Sequence, residues 1–132
     1  MGWTILKSFF QDKTSVNIGG ILEGLDVFSI IDTLVKNEDI SIVYVVKNED
    51  KLYKTTQLID ELYSDINYVT IPAWDCLPYD NLSPGTRVTG ERINSFLKIL
   101  DKNNPVRLVL VREHACEKEW CLGFLRAIVL VC

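Results

Sequence analysis

The stretch ISIVYVV at residues 40–46 decides the fold class. It is almost entirely apolar and rich in β-branched residues, a composition typical of a strand that is buried on both faces of a parallel sheet. Asn48-Glu49-Asp50 follows as a helix cap, and an apolar stripe at helical spacing continues to Leu62. Residues 68–71 then predict another strand. A strand, a helix and a second strand in this order indicate a βαβ unit.

The same alternation extends in both directions along the chain. Upstream, residues 15–18 predict a strand, and a helix follows over 26–36 with Asp26 as its N-cap. Downstream, residues 86–100 predict a helix, residues 106–111 a strand and residues 113–125 a last helix. The predicted core stripe of the 86–100 helix comprises Ile93, Phe96, Leu97 and Leu100. We therefore expect an α/β fold with an open, mostly parallel sheet and helical crossovers.

Length and composition are those of one globular domain or part of one. The chain has 132 residues, of which 48% are hydrophobic and 24% charged. Its 14 Lys and Arg against 18 Asp and Glu give a formal net charge of −4, with no basic run. Because phosphate contacts need clustered Lys and Arg, this balance argues against a stand-alone nucleic-acid binder.

No segment predicts export or membrane insertion. The start, MGWTILKSFF, lacks the apolar core and cleavage site of a signal peptide. No apolar run reaches the roughly 20 residues of a membrane helix. We expect a cytoplasmic protein without a membrane partner, in which the cysteines are reduced thiols. These are Cys76, Cys116, Cys121 and Cys132.

The residues provide no convincing catalytic, cofactor or metal site. The glycine-containing segment 19–26 lacks the Lys and the Ser or Thr of a phosphate-binding loop, and it carries Glu23 and Asp26, which would repel phosphate. His114, Cys116 and Cys121 offer three ligands without the paired spacing of structural zinc sites, so we interpret them as part of an amphipathic segment. Hence we predict no catalysis, no cofactor and no metal for this chain.

The most unusual stretch is IPAWDCLPYDNLSP at residues 71–84. It follows a predicted strand directly, and ligands of open α/β sheets bind beyond the carboxyl ends of strands. Trp74 and Tyr79 could stack on a base or pack against a neighbouring domain. In the alternative interpretation, Trp74 and Leu77 fill the core while the aspartates cap turns.

At this stretch the sequence resembles the N-terminal module of bacterial transcription-repair coupling factor (Mfd). Family members have an aromatic residue, an acidic residue, any residue and then Leu-Pro-Tyr-Asp, here residues 74–80, with a Ser-Pro pair a few positions on, here Ser83-Pro84. A helix with a Glu/Ser-Arg pair follows, here Glu91-Arg92. The resemblance covers about residues 15–111 and is most specific over 71–100.

The resemblance implies a partial RecA-like, UvrB-like domain that has lost its nucleotide-binding motif. The full family protein is an ATP-driven DNA translocase that releases stalled RNA polymerase and recruits UvrA for nucleotide-excision repair. Its motor and its main partner-binding surfaces lie downstream and are not carried onto this chain. For this chain we expect the loop at 72–84 to be a packing or contact surface for neighbouring domains. Its residues are Trp74, Asp75, Leu77, Pro78, Tyr79 and Asp80, together with Arg92.

The resemblance ends near Val111, and residues 112–132 form an unmatched tail. We hypothesise a truncated or frameshifted gene, which would make residues 1–132 one partial domain; a divergent ending is the alternative. Two other functions stay open: a stand-alone module that binds a repair protein such as UvrA, and a small nucleotide- or DNA-binding α/β protein.

Overall fold

The computed structural model describes residues 20–38, 40–75, 83, 85–112 and 127–131. By its internal contacts the chain divides into two compact units, Met1–Ile40 and Ser41–Cys132. The predicted strand at 15–18 and the predicted helix at 113–125 lie outside the described residues.

The described part of the first unit is helix α1, Leu25–Lys36, preceded by a glycine-containing turn. Gly24, and not Asp26, is the N-cap residue, so the predicted cap is wrong. The chain enters the helix through a left-handed conformation at Gly24 (φ 94°), which glycine adopts without a steric cost. Asp26 lies in the first turn, where its carboxylate accepts a hydrogen bond from the Gly24 N–H at 3.2 Å.

The second unit contains a sheet of four described strands with two described helices. Its elements in chain order are β1 Ser41–Val46, α2 Glu49–Leu62, β2 Tyr68–Ile71, α3 Thr86–Leu100, β3 Leu108–Arg112 and β4 Ala127–Val131. The strand order is β2-β3-β1-β4, and every pairing is parallel. The predicted α/β fold class with an open parallel sheet is therefore confirmed.

The core lies on both faces of the sheet. The described side chains of β1 and β3 are nearly all buried, as the apolar sequence of β1 predicts. The crossover from β1 to β2 runs in the opposite direction to the one from β2 to β3. Because such crossovers are right-handed, α2 and α3 lie on opposite faces of the sheet. One face packs against Phe96 and Ile99 of α3 and includes Val43, Val45, Val69, Ile71, Val109 and Val111.

Helix α2 begins and packs as its sequence predicts. The Asn48 side chain accepts a hydrogen bond from the Lys51 N–H at 2.9 Å, which caps the first turn. Leu52, Thr55 and Ile59 are buried. Glu49 forms an ion pair with Arg112 at the end of β3, which joins the start of the helix to the carboxyl end of the sheet.

The orientation of α3 differs from the prediction. Ile93, Leu97 and Leu100 are exposed, while Val88, Arg92 and Ser95 are buried. Of the predicted core stripe, Phe96 alone packs on the sheet core. The prediction is wrong because it assigned burial by residue type, whereas the two buried polar side chains have hydrogen-bond acceptors in the main chain of residues 70–72.

Candidate functional site

The candidate site lies where β2 ends and the chain continues towards α3. Its described residues are 72–75, 83 and the N-terminal part of the helix. This is the carboxyl edge of the parallel sheet, where the sequence places the contact loop. Three groups of contacts connect this segment to α3, and they centre on Arg92, Asp75 and Ser95.

Arg92 is the buried cation of the site, with only 5% of its surface exposed. Its Nη1 donates a hydrogen bond to the carbonyl oxygen of Pro72 at 2.7 Å. The guanidinium carbon lies 4.3 Å from the centroid of the Trp74 ring and 5.9 Å from that of Phe96. A planar guanidinium stacks on aromatic faces more effectively than an ammonium group does, so this position suits arginine specifically.

Trp74 is the outer member of this cluster. Its side chain is 39% exposed, so it does not fill the core as the alternative interpretation of the sequence required. Part of its surface contacts the Arg92 guanidinium, and part of it is accessible to solvent. An aromatic ring that is held by a buried cation and is still accessible is well suited to contact another molecule.

Asp75 connects the same segment to the start of α3. Its two carboxylate oxygens accept hydrogen bonds from the Gly85 N–H at 3.0 and 3.2 Å. Gly85 is the N-cap residue of α3, and as a glycine it has no side chain with which to cap the helix. A Cβ atom at position 85 would collide with the Asp75 Oδ2 atom, so the absence of a side chain there allows the carboxylate to approach. A negative charge at this end also complements the helix dipole.

Ser95 makes the third contact. Its hydroxyl lies 3.0 Å from the carbonyl oxygen of Thr70 and 2.9 Å from that of Glu91, and it can donate its one hydrogen to either. With Arg92, it supplies α3 with two donors directed at the main chain of residues 70–72. These contacts satisfy polar groups that would otherwise be costly to bury.

The structure thus brings together Trp74, Asp75 and Arg92 of the predicted contact loop. Leu77, Pro78, Tyr79 and Asp80 lie outside the described residues, as do His114, Cys116 and Cys121. The sequence analysis did not identify Gly85 or Ser95 as parts of the site. The signal for Ser95 was its position three residues after Arg92, on the same face of a helix.

The described residues contain no cluster of three or more His, Cys, Asp or Glu side chains that could hold a metal ion. Among the described helices, none is both long and apolar enough to cross a membrane. The interactions seen among the described residues of the site are hydrogen bonds and cation–π contacts, beside the partly exposed ring of Trp74.

The fold and the site define an α/β protein with a parallel sheet. At the carboxyl end of β2, Arg92 and the contact between Asp75 and Gly85 hold the following segment against α3. In sequence, the chain is similar to two transcription-repair-coupling factors. It is 28% identical to that of Rickettsia typhi over 82 residues, which are 62% of this chain and 7% of the relative. It is 23% identical to that of Haemophilus influenzae over 92 residues, which are 70% of this chain and 8% of the relative.

These matches support a partial relationship to the transcription-repair-coupling factors. The chain spans less than a tenth of the length of either relative. No protein-family model matches it. No solved structure matches it either.

Proposed function

We propose that this chain is the counterpart of the N-terminal module of a transcription-repair coupling factor and serves transcription-coupled nucleotide-excision repair as a non-catalytic contact module. The similarity to the two coupling factors supports the family-level role. The stretch with the most specific resemblance, residues 71–100, contains the Trp74, Asp75 and Arg92 contacts. The most family-specific part of the sequence and the best-defined contacts of the site therefore coincide.

The observation that carries the proposal is that both ends of the 72–85 segment are held in place by contacts with α3 or with its N-cap residue. At its start, Arg92 holds the Pro72 carbonyl and stacks on Trp74. At its end, Gly85 is bound by Asp75. Both ends are therefore fixed to α3, which lowers the entropy that a bound partner would otherwise have to remove from this loop. Trp74, with Leu77, Pro78, Tyr79 and Asp80, forms the proposed contact surface.

Catalysis is not part of this proposal. The segment 19–26 has no Lys to meet a phosphate and carries two acidic residues. In the family resemblance, ATP hydrolysis and DNA translocation belong to downstream domains. We propose that this loop contacts a protein partner of the full-length family, RNA polymerase or UvrA, whereas DNA is engaged by the downstream domains.

The proposal is tested by measuring binding of the immobilised chain to purified UvrA and to RNA polymerase of the same cell by interferometry. We expect binding to at least one of them, and Trp74→Ala should weaken it about tenfold or more, as for a central aromatic anchor. Tyr53→Ala is the matched control, because Tyr53 is an exposed aromatic side chain on α2. Circular dichroism of both variants confirms that the fold is retained.

Two results would refute the proposal. If neither protein binds, the chain is not a contact module for the family's partners. If Trp74→Ala binds as well as the unchanged chain, the contact surface lies elsewhere. Titrations with ATP and with single-stranded DNA complete the experiment, since saturable binding of either ligand would favour the nucleotide- or DNA-binding alternative.

A further inference from the structure

Helix α3 carries an apolar stripe on the face opposite its buried side. Ile93, Leu97 and Leu100 are 54%, 62% and 57% exposed. With Thr86 and Gly90 they follow spacings of four, three, four and three residues, which is the seam pattern of paired helices. A Cβ atom placed on Gly90 would meet nothing within 4 Å among the described residues, so the space beside Gly90 itself is open.

A row of charges of alternating sign follows one flank of the stripe. Arg87, Glu91 and Lys98 share this side of the helix at 100° per residue, and Asp101, the C-cap residue, follows them directly after the last turn. Arg87 and Glu91 form an exposed ion pair within the helix, at 3.0 Å. Uncharged Asn94 lies at the middle of the row.

This charge order is complementary to itself when a second α3 runs antiparallel. Leu100 then lies opposite Gly90 of the second copy, and Ile93 lies opposite its Leu97. In the same register, to within one or two residues, Glu91 faces Lys98 of the second copy and Arg87 faces its Asp101. A parallel two-fold pair would place this flank of the two copies on opposite sides of the interface, so its charges would not meet.

From this stripe and its self-complementary flank we infer that α3 is the interface of a two-fold symmetric antiparallel dimer of this chain. A two-fold interface uses the same surface patch on both copies, which the charge order satisfies. The interface is separate from the proposed contact surface around Trp74, because Arg92 and Phe96, which hold Trp74, lie on the inner face of the same helix.

The dimer is expected to be weak. A helix of 15 residues is about 22 Å long, so one helix pair buries less than the roughly 1,200 Å² of a standard stable interface. We therefore expect a reversible dimer whose population rises with protein concentration, with a Kd in the range of about 10–500 μM.

Sedimentation equilibrium of the full chain from about 5 to 500 μM tests the interface. Leu97→Glu should weaken self-association by about 30-fold or more, because it buries an unpaired charge in the seam. Tyr53→Glu places the same charge at an exposed site on α2 and should leave self-association unchanged. Circular dichroism shows whether each variant is folded.

A charge swap tests the antiparallel register without removing an apolar side chain. Glu91→Lys and Lys98→Glu should each weaken the dimer by about 3- to 10-fold, since each creates two like-charge contacts across the interface. The double variant E91K/K98E should recover most of the loss. A monomer throughout the concentration range overturns the inference, whatever else covers the stripe. So does self-association that Leu97→Glu leaves intact, or a double variant no better than the singles.

Discussion

Helices α2 and α3 flank the same sheet, yet different kinds of side chain are buried on them. Helix α2 buries Leu52, Thr55 and Ile59 and leaves most of its charges exposed. Helix α3 buries Arg92 and Ser95 and leaves Ile93, Leu97 and Leu100 exposed. The difference shows that a helix can bury polar side chains when the adjoining main chain supplies acceptors.

The acceptors come from the end of β2. This strand is at one edge of the described sheet, so part of its main chain faces away from β3. Ser95 reaches the Thr70 carbonyl and Arg92 reaches that of Pro72. By contrast, α2 packs beside the central part of the sheet, and its buried Thr55 donates to Lys51 in its own preceding turn.

The largest expected effect comes from removing the Arg92 side chain, which tests whether the buried polar face of α3 stabilises the fold. Arg92→Ala removes a charged hydrogen bond and the stacking on Trp74, so we expect a loss of about 2–4 kcal/mol in the free energy of unfolding. Arg92→Lys should recover only part of it, because an ammonium group lacks the planar fork.

Urea denaturation at low micromolar concentration measures both Arg92 variants. Arg87→Ala is the control on the same helix, because its side chain is 83% exposed and its loss should change stability by less than about 0.5 kcal/mol. Equal losses at positions 87 and 92 would contradict the structural role of Arg92.

The contact between Asp75 and Gly85 gives a smaller effect and a sharper test. Asp75→Ala should cost about 1 kcal/mol, as for a lost helix cap. Gly85→Ala should cost a similar amount, because the new Cβ displaces the carboxylate. In the Asp75→Ala background, however, Gly85→Ala should cost clearly less, because the carboxylate that its Cβ displaces is no longer there.

A double-mutant cycle measures this coupling, which we expect to be about 1 kcal/mol. The cycle is self-controlled because each substitution is measured with and without the other. Strict additivity of the two substitutions would mean that the carboxylate does not cap α3.

Sequence reasoning identified the elements of this fold more accurately than the faces of its helices. The run of β-branched residues at 40–46 and the Asn48 cap predict β1 and α2 correctly, because their signals are local. The orientation of α3 could not be predicted, because Ile93 and Leu97 compete with Val88 and Ile99 at the same helical period. Main-chain acceptors decide between these faces, and they are defined only once β2 and α3 are adjacent.

The site was predictable in part for the same reason. Trp74 and Asp75 stand out by residue type within a stretch of unusual composition, and Arg92 was indicated by the family resemblance. Gly85 does not, because its role depends on a carboxylate ten residues away approaching its N–H. The strand order β2-β3-β1-β4 is likewise beyond local signals, since it depends on crossovers between strands distant in sequence.

The smallest expected effect concerns α2, where Asp60 of this helix contacts Tyr68 of β2. The Tyr68 hydroxyl donates a hydrogen bond to the Asp60 carboxylate at 2.8 Å. Partial burial and this bond to a negative group both favour the neutral phenol and raise the pKa of Tyr68 to about 12. The stabilisation from the neutral phenol is therefore complete below the ordinary tyrosine pKa of about 10 and is lost as the pH rises through about 12.

Absorbance at 295 nm tests this pKa when the titration of Tyr68→Phe is subtracted from that of the unchanged chain. The difference should show one phenol with a midpoint near pH 12. Asp60→Asn should lower that midpoint in part, because it removes the negative charge but leaves the partial burial, which is the larger cause of the raised pKa. A difference curve already centred near 10 in the unchanged chain would mean that the contact between β2 and α2 does not form in solution.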